Sequence, residues 1–191
     1  ITGNSTGSPL WTDLRPGKFC NLSCTMCFVK ISSGVYDEHV ANPELGEITG
    51  ELDLSSISTQ DWIENEVTFE SIKKIIPKLS TIKLAGGEPF FMPGVIKLLN
   101  WCADTNNTHL HLDITTNGTR TEGKVLKLLK KFNSVVIQLS MDGIGFTNDY
   151  IRHHCNWNNV DKSYDTYINS FFKVNLLSTV QAYNAFDLVN I

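Results

Sequence analysis

Short apolar runs alternate with segments of helical period along most of this chain. Residues 11–15 (WTDLR), 81–85 (TIKLA), 109–115 (HLHLDIT), 134–140 (SVVIQLS) and 173–181 (KVNLLSTVQ) predict strands. In 109–115 polar and apolar residues alternate with the period of a half-buried strand. Between the strands, Phe69, Ile72, Ile75, Ile76 and Leu79 recur at helical spacing. Thr68, with Ser71 three residues on, offers a partial capping signal for that helix. A second helix follows Pro93, a third covers 121–131, and a fourth lies within 159–172. Residues 29–65 are polar, acidic and rich in Ser and Gly. They predict a long loop or lid with room for one short helix.

Strand, helix, strand at this spacing implies βαβ units and a parallel sheet. The predicted strands end in polar or glycine-bearing turns, Gly86-Gly87, Asn117-Gly118 and Asp142-Gly143 among them. In α/β folds that carboxyl edge is where chemistry is placed. Five such units are too few to close an eight-stranded barrel. The expectation is therefore an α/β domain over 1–191, a partial parallel (β/α)6-type TIM-like barrel, open and ending near where a sixth strand is needed.

A chain of 191 residues is large enough to bury one core, and 41% hydrophobic with 19% charged residues fits a globular domain. The net charge of -4 argues against binding to nucleic acid or to an anionic membrane. No run of about 18 apolar residues is present to span a bilayer. The N-terminal ITGNSTGSPLWTDL has neither the basic segment nor the apolar stretch of a secretory signal. It also lacks an initiator Met, as a processed or partial chain does. The cysteines number five, and three of them fall within eight residues. A secreted disulfide framework spreads and pairs its cysteines, so clustered thiols favour a reducing compartment, the cytoplasm, and a metal or redox site.

That cluster reads Cys20-Asn-Leu-Ser-Cys24-Thr-Met-Cys27. Spacing of i, i+4, i+7 also suits three thiols on one helix face. Pro16-Gly17 just upstream and the poor helix formers Asn21, Ser23 and Thr25 weigh against a helix. Three soft thiolates suit an iron–sulfur cluster, and with one distant ligand they suit zinc. Cubane clusters ordinarily take four cysteines, so three leave one iron open to a small molecule.

The Cys-x3-Cys-x2-Cys segment resembles the cluster motif of the radical S-adenosylmethionine (SAM) superfamily. That resemblance implies a [4Fe–4S] cluster on Cys20, Cys24 and Cys27. The fourth iron then binds the amino and carboxylate groups of S-adenosyl-L-methionine, which one electron cleaves to a 5′-deoxyadenosyl radical. Met26 falls where the family carries an apolar or aromatic residue beside the adenine, and Phe28 follows as a further wall. Gly86-Gly87-Glu88-Pro89 resembles the family's GGEP element, which meets the methionyl amino group. Glycines allow close backbone approach and Glu88 offers a carboxylate to an ammonium. Asn117, in Thr115-Thr116-Asn117-Gly118, resembles the TNG turn near the cofactor. Ser140, Asp142 and Arg152 resemble the family's Ser, Asp-Gly and Arg arrangement. It sets the Ser near the ribose and the Arg, whose planar fork suits a carboxylate, against the methionyl carboxylate. Val180 and Gln181 fall where the fifth strand passes the adenine, with Asn184 just beyond.

The resemblance covers roughly residues 11–190 and implies an enzyme that abstracts hydrogen from a peptide, a protein or a small molecule. It also implies a reductant such as flavodoxin or ferredoxin. The run from Ser140 to Trp157 is most similar to members carrying a C-terminal SPASM or twitch domain, whose auxiliary-cluster cysteines are not in this chain. Two other readings remain: a structural zinc or iron–sulfur module, and a non-catalytic SAM-binding or interaction domain. Of the remaining candidates, Cys102 reads as a small core residue. His153-His154-Cys155 invites a metal reading but lacks the spacing of a closed site. His109 and His111 share one side of a strand. The acidic residues Asp37, Glu38, Glu44, Glu47, Glu51 and Asp53 are candidates for a lid over substrate.

Overall fold

A computed structural model describes residues 9–50, 53–55, 57, 61–121 and 123–191. Its elements run β1 (Trp11–Leu14), β2 (Ser23–Cys24), α1 (Ser33–Ala41), α2 (Glu44–Thr49), α3 (Glu66–Ile75), β3 (Thr81–Leu84) and α4 (Pro93–Asp104). They continue as β4 (His111–Thr116), α5 (Gly123–Leu129), β5 (Ser134–Ser140), α6 (Phe146–Ile151), β6 (Arg152–His153), α7 (Trp157–Ile168) and β7 (Lys173–Leu177). Five strands form one parallel sheet in the order β1-β3-β4-β5-β7, and β2 pairs antiparallel with β6 in a separate ribbon. The sheet is open and no barrel closes, in keeping with the partial barrel predicted. No helix among the described residues is long and apolar enough to cross a membrane.

Period-two alternation decides which face of the sheet is packed. Ile82 and Leu84 of β3, Leu112 and Ile114 of β4, and Val135, Ile137 and Leu139 of β5 are buried. Leu14, Leu84, Ile114, Ile137 and Val174 stand side by side across the five strands. They belong to one core with Phe69 and Ile72 of α3, Val95 and Leu98 of α4, Leu129 of α5 and Tyr167 of α7. The intervening residues (Lys83, Asp113, Thr115, Gln138, Ser140) are only half-buried and face the other way. The sheet therefore has an apolar face under helices and a polar face left for a ligand.

Helix boundaries follow local chemistry. Asn65, not Thr68, caps α3, its Oδ1 accepting from the Thr68 N–H at 3.1 Å. Pro93 opens α4, where a missing N–H costs nothing. The described residues of the predicted loop over 29–65 hold two α-helices where composition suggests one short helix at most. Ser32 caps α1 by accepting from the Val35 N–H at 3.4 Å, and Gly50 ends α2 at φ +77°. Asp37 and Glu38 thus lie on α1, and Glu44 and Glu47 on α2; Glu51 lies outside the described residues. The last strand is shorter than 173–181 predicts. After the rung from Met141 N–H to Leu177 O, the Thr179 N–H donates to Asp142 Oδ1 at 2.7 Å, and the chain leaves the sheet.

Candidate functional site

The first crossover begins as a loop bearing the cysteines over the carboxyl edge of the sheet. Hydrogen bonds tie it down on three sides. Toward β3, the Gly87 N–H donates to Gly17 O at 3.3 Å and the Glu88 N–H to Phe19 O at 2.7 Å. A Cβ on Gly87 would lie 2.2 Å from Phe19 O, so only glycine permits this approach. Toward α1, the Cys20 N–H donates to Ser33 Oγ at 2.9 Å, and the Ser33 N–H donates to Lys18 O. Toward α6 and β6, the Thr25 N–H donates to Ile151 O, and Cys24 stands opposite Arg152 in the β2–β6 ribbon.

The three sulfurs are held as neighbouring free thiols. The Cys24 thiol hydrogen-bonds to Cys27, which pushes Cys24 up, and burial adds to the rise. The same bond holds the Cys27 thiol below its ordinary range. Burial pushes the Cys20 thiol up to about 11. Metal or cluster loading must then displace protons that burial retains, the usual coupling of thiolate ligation to pH.

Beside the cysteines lies a cavity of about 720 Å³ lined by Cys20, Cys27, Gly86, Gly87, Ser140 and Arg152, all foreseen in the sequence. Residues that motif reasoning missed line it too, Lys83 and Thr115 from the polar face of the sheet and Trp62 from the turn before α3. Lys83 and Thr115 were legible as the outward positions of an alternating strand; Trp62 carried no signal. Five basic residues (Arg15, Lys18, Lys30, Lys83 and Arg152) line the cavity, and no carboxylate among the described residues does. In a chain of net charge -4, that places positive charge where thiolate charge gathers.

Three further motif residues stand behind the lining. Glu88 is fully buried and stands behind the cavity lining. Its Oε2 accepts the Asn117 N–H at 2.6 Å, and its Oε1 accepts the Thr116 hydroxyl at 2.8 Å and the Phe90 N–H at 3.2 Å. Burial raises its carboxyl to about 7 against these bonds and the pull of Arg152. Asn117, so fixed, donates from Nδ2 to Asn21 Oδ1 at 2.9 Å and lies 3.9 Å from Cys20 Sγ. Asp142 is also fully buried and meets Arg152 Nη2 at 2.8 Å, an ion pair without the alignment of a hydrogen bond. Arg152 Nε, buried, has no hydrogen-bond partner among the described residues.

Met26, Phe28 and Val180 line no part of this cavity. Val180 is 68% exposed, because the chain has left β7 before reaching it, which corrects its expected place on a fifth strand. Asn184 is buried and structural, its Nδ2 donating to the carbonyls of Asp142 and Thr179. Gln181 accepts from the Thr25 hydroxyl at 3.0 Å, linking the chain's last segment to the cysteine loop. Cys102 is a buried core residue of α4. His109 precedes β4 and bonds Leu79 O at 3.0 Å; His111 bonds Ser134 Oγ at 2.8 Å, and neither belongs to a group of three metal-ligating side chains among the described residues.

Three comparisons bear on this geometry. Residues 14–181 match the model of the Radical SAM superfamily. Over 128 residues the chain is 29% identical to 7,8-dihydro-6-hydroxymethylpterin dimethyltransferase of Methanocaldococcus jannaschii, covering 65% of this chain and 21% of that protein. Its fold is similar to Streptococcus suis SuiB bound to S-adenosylmethionine, with TM-score 0.60 and 18% identity, over 96% of this chain and 37% of SuiB. SuiB bound to the precursor peptide SuiA matches with TM-score 0.56 and 20% identity, over 96% of this chain and 36% of SuiB. The chain thus spans about a fifth of the curated relative it matches and little more than a third of SuiB.

Proposed function

This chain belongs to the Radical SAM superfamily, and on that premise we propose that it is the radical-generating core of an enzyme acting on a peptide, a protein or a small molecule. The observation that carries the reading is the meeting of Cys20 and Cys27 with Gly86, Gly87, Ser140 and Arg152 around one cavity at the sheet's carboxyl edge. Three soft thiolates fit a [4Fe–4S] cluster with one open iron. Cys20, Cys24 and Cys27 would hold it. When bound, the cluster supplies one electron for reductive cleavage of S-adenosyl-L-methionine to methionine and a 5′-deoxyadenosyl radical, which takes hydrogen from the substrate.

The chain's own contribution is binding, orientation and exclusion of solvent. Gly86 and Gly87 let the strand end pack directly on the cysteine loop, where a Cβ would strike Gly17 O or Phe19 O, so that loop and strand end border one cavity. Arg152, with its buried Nε lacking a partner among the described residues, offers a donor to the methionyl carboxylate. Ser140 offers a hydroxyl to the ribose. Glu88, Asn117 and Asp142 act as positioning residues, the first two fixing the turn beside Cys20 and the third holding Arg152. The basic surround offsets negative charge gathered at the sulfurs. A flavodoxin- or ferredoxin-like donor supplies the electron, in a reducing cytoplasm. The finer likeness to members with a SPASM or twitch domain rests on the run from Ser140 to Trp157. A full-length reading frame without a downstream cysteine cluster would remove it.

Anaerobic reconstitution with iron and sulfide tests the proposal. About four irons per chain and absorbance near ~400 nm are expected, both lost in Cys24→Ala. Addition of dithionite and S-adenosyl-L-methionine should then yield 5′-deoxyadenosine by chromatography. A stable cluster with no 5′-deoxyadenosine would favour a non-catalytic domain, and uptake of zinc in place of iron a structural module.

A further inference from the structure

Outside that cavity, α1 and the end of β6 bring three metal-ligating side chains together across 115 residues of sequence (153 − 38). One carboxylate oxygen of Glu38 and one ring nitrogen each of His153 and His154 all lie within 4.8 Å of one another. Glu38 Oε1 and His154 Nε2 are 3.4 Å apart, and the two imidazole centroids 4.1 Å. Ligands about 2.0–2.1 Å from a tetrahedral ion stand about 3.3 Å from one another. Glu38 and His154 already keep that separation, and His153 closes it by about 1.5 Å at most, a small torsional change for an exposed side chain.

Successive residues of a strand point to opposite sides. His154 escapes that alternation by adopting φ +69°, a left-handed conformation uncommon outside glycine but several-fold enriched in His, Asn and Asp. The chain thereby turns out of β6 and both rings lie on one side, toward α1. A cavity of about 390 Å³, bordered by Glu38, His154, Asp37, Asn42 and also Cys20, opens beside Glu38 and His154 and leaves room for water on an ion; His153 lies outside its walls. Two imidazoles, one carboxylate and an open position make a donor set suited to zinc and its borderline neighbours.

We propose that Glu38, His153 and His154 form a binding site for a divalent cation of the zinc class. The ion would pin α1 to β6. Both segments hold the cysteine loop, α1 through Ser33 at Cys20 and β6 through the pairing of Arg152 with Cys24. Its role is that of a strut behind the loop.

The thiols of Cys20, Cys24 and Cys27 compete for zinc, so the test uses untagged protein already reconstituted with iron and sulfide and washed with chelator. Zinc and iron are counted per chain by mass spectrometry after equilibrium dialysis against zinc, and the zinc K-edge spectrum is recorded. The expected result is one zinc per chain with iron unchanged, and a nitrogen and oxygen shell at about 2.0–2.1 Å without sulfur at about 2.3 Å. Glu38→Gln and His154→Asn should each weaken zinc binding by more than about 100-fold, beyond the roughly 10–100-fold that loss of an outer-shell partner commonly costs. Asn tolerates the left-handed φ, and unchanged iron content reports that the fold is intact. Failure to retain zinc, a sulfur shell, or undiminished binding in both variants would overturn the proposal.

Discussion

Glu88→Gln separates the positioning role of this side chain from any contact with ligand. In the wild type, Oε2 faces the Asn117 N–H, and Oε1 faces the Thr116 hydroxyl and the Phe90 N–H, all without solvent. An amide has one acceptor oxygen where the carboxylate has two. If the oxygen of the introduced amide turns to Asn117, its NH2 meets the Thr116 hydroxyl, which can rotate to accept, and the Phe90 N–H, which cannot. If it turns the other way, two donors confront each other across the 2.6 Å contact. The first arrangement is the milder, and one buried, unsatisfied N–H costs about 1–3 kcal/mol. The cost should depend on pH. Burial raises the carboxyl from 4.5 to about 7 in the folded chain. Such a group contributes stability fully below its unfolded pKa and loses it as pH rises through the folded value. The wild type should therefore lose about 3 kcal/mol of stability from this group between pH 4.5 and 7, whereas the variant's amide, which does not titrate, loses none. Other titrating groups are shared, so the difference between the two curves isolates Glu88. Urea unfolding of both proteins without cluster, followed by circular dichroism from about pH 5 to about pH 8, reads it directly. Curves that run parallel across that window would refute the account of Glu88 as a buried, internally bonded carboxyl.

Two further outcomes follow from the walls of the site. Asp142→Asn strips the buried Arg152 guanidinium of its counter-charge, and breaking a buried pair costs about 3–5 kcal/mol. The denaturation midpoint should fall accordingly; an unchanged midpoint would show that solvent reaches Arg152. Gly87→Ala sets a methyl 2.2 Å from the Phe19 carbonyl and must push the cysteine loop off β3. Iron bound after reconstitution should drop well below the wild-type level while far-UV circular dichroism stays near native, and full loading would mean the loop yields freely.

Strand positions were legible wherever one face alternated with the other. SVVIQLS, for instance, is β5 at both ends because Val135, Ile137 and Leu139 need burial and their neighbours do not. Alternation failed at the last strand, where KVNLLSTVQ reads as extended throughout. A distant carboxylate, Asp142, captures the Thr179 N–H and ends the pairing, and no local pattern announces a partner 37 residues away. The same limit governs the segment 29–65. Its polar composition suggests a lid, yet Ser32 and Ser33 are spent on holding Leu22 and Cys20 in place, and α1 is built on that anchor. The motif residues show what sequence reasoning leaves open: which side chains line the cavity and which stand behind it. Glu88 and Asp142 were found by their place at strand ends; both are wholly buried, Glu88 bonded to Asn117 and Asp142 paired with Arg152. A carboxylate beside a ligand and a carboxylate that aims the residue beside a ligand occupy the same place in a motif. What distinguishes them is whether backbone N–H groups have already claimed its oxygens. At Glu88 two of them have, and the Thr116 hydroxyl makes a third.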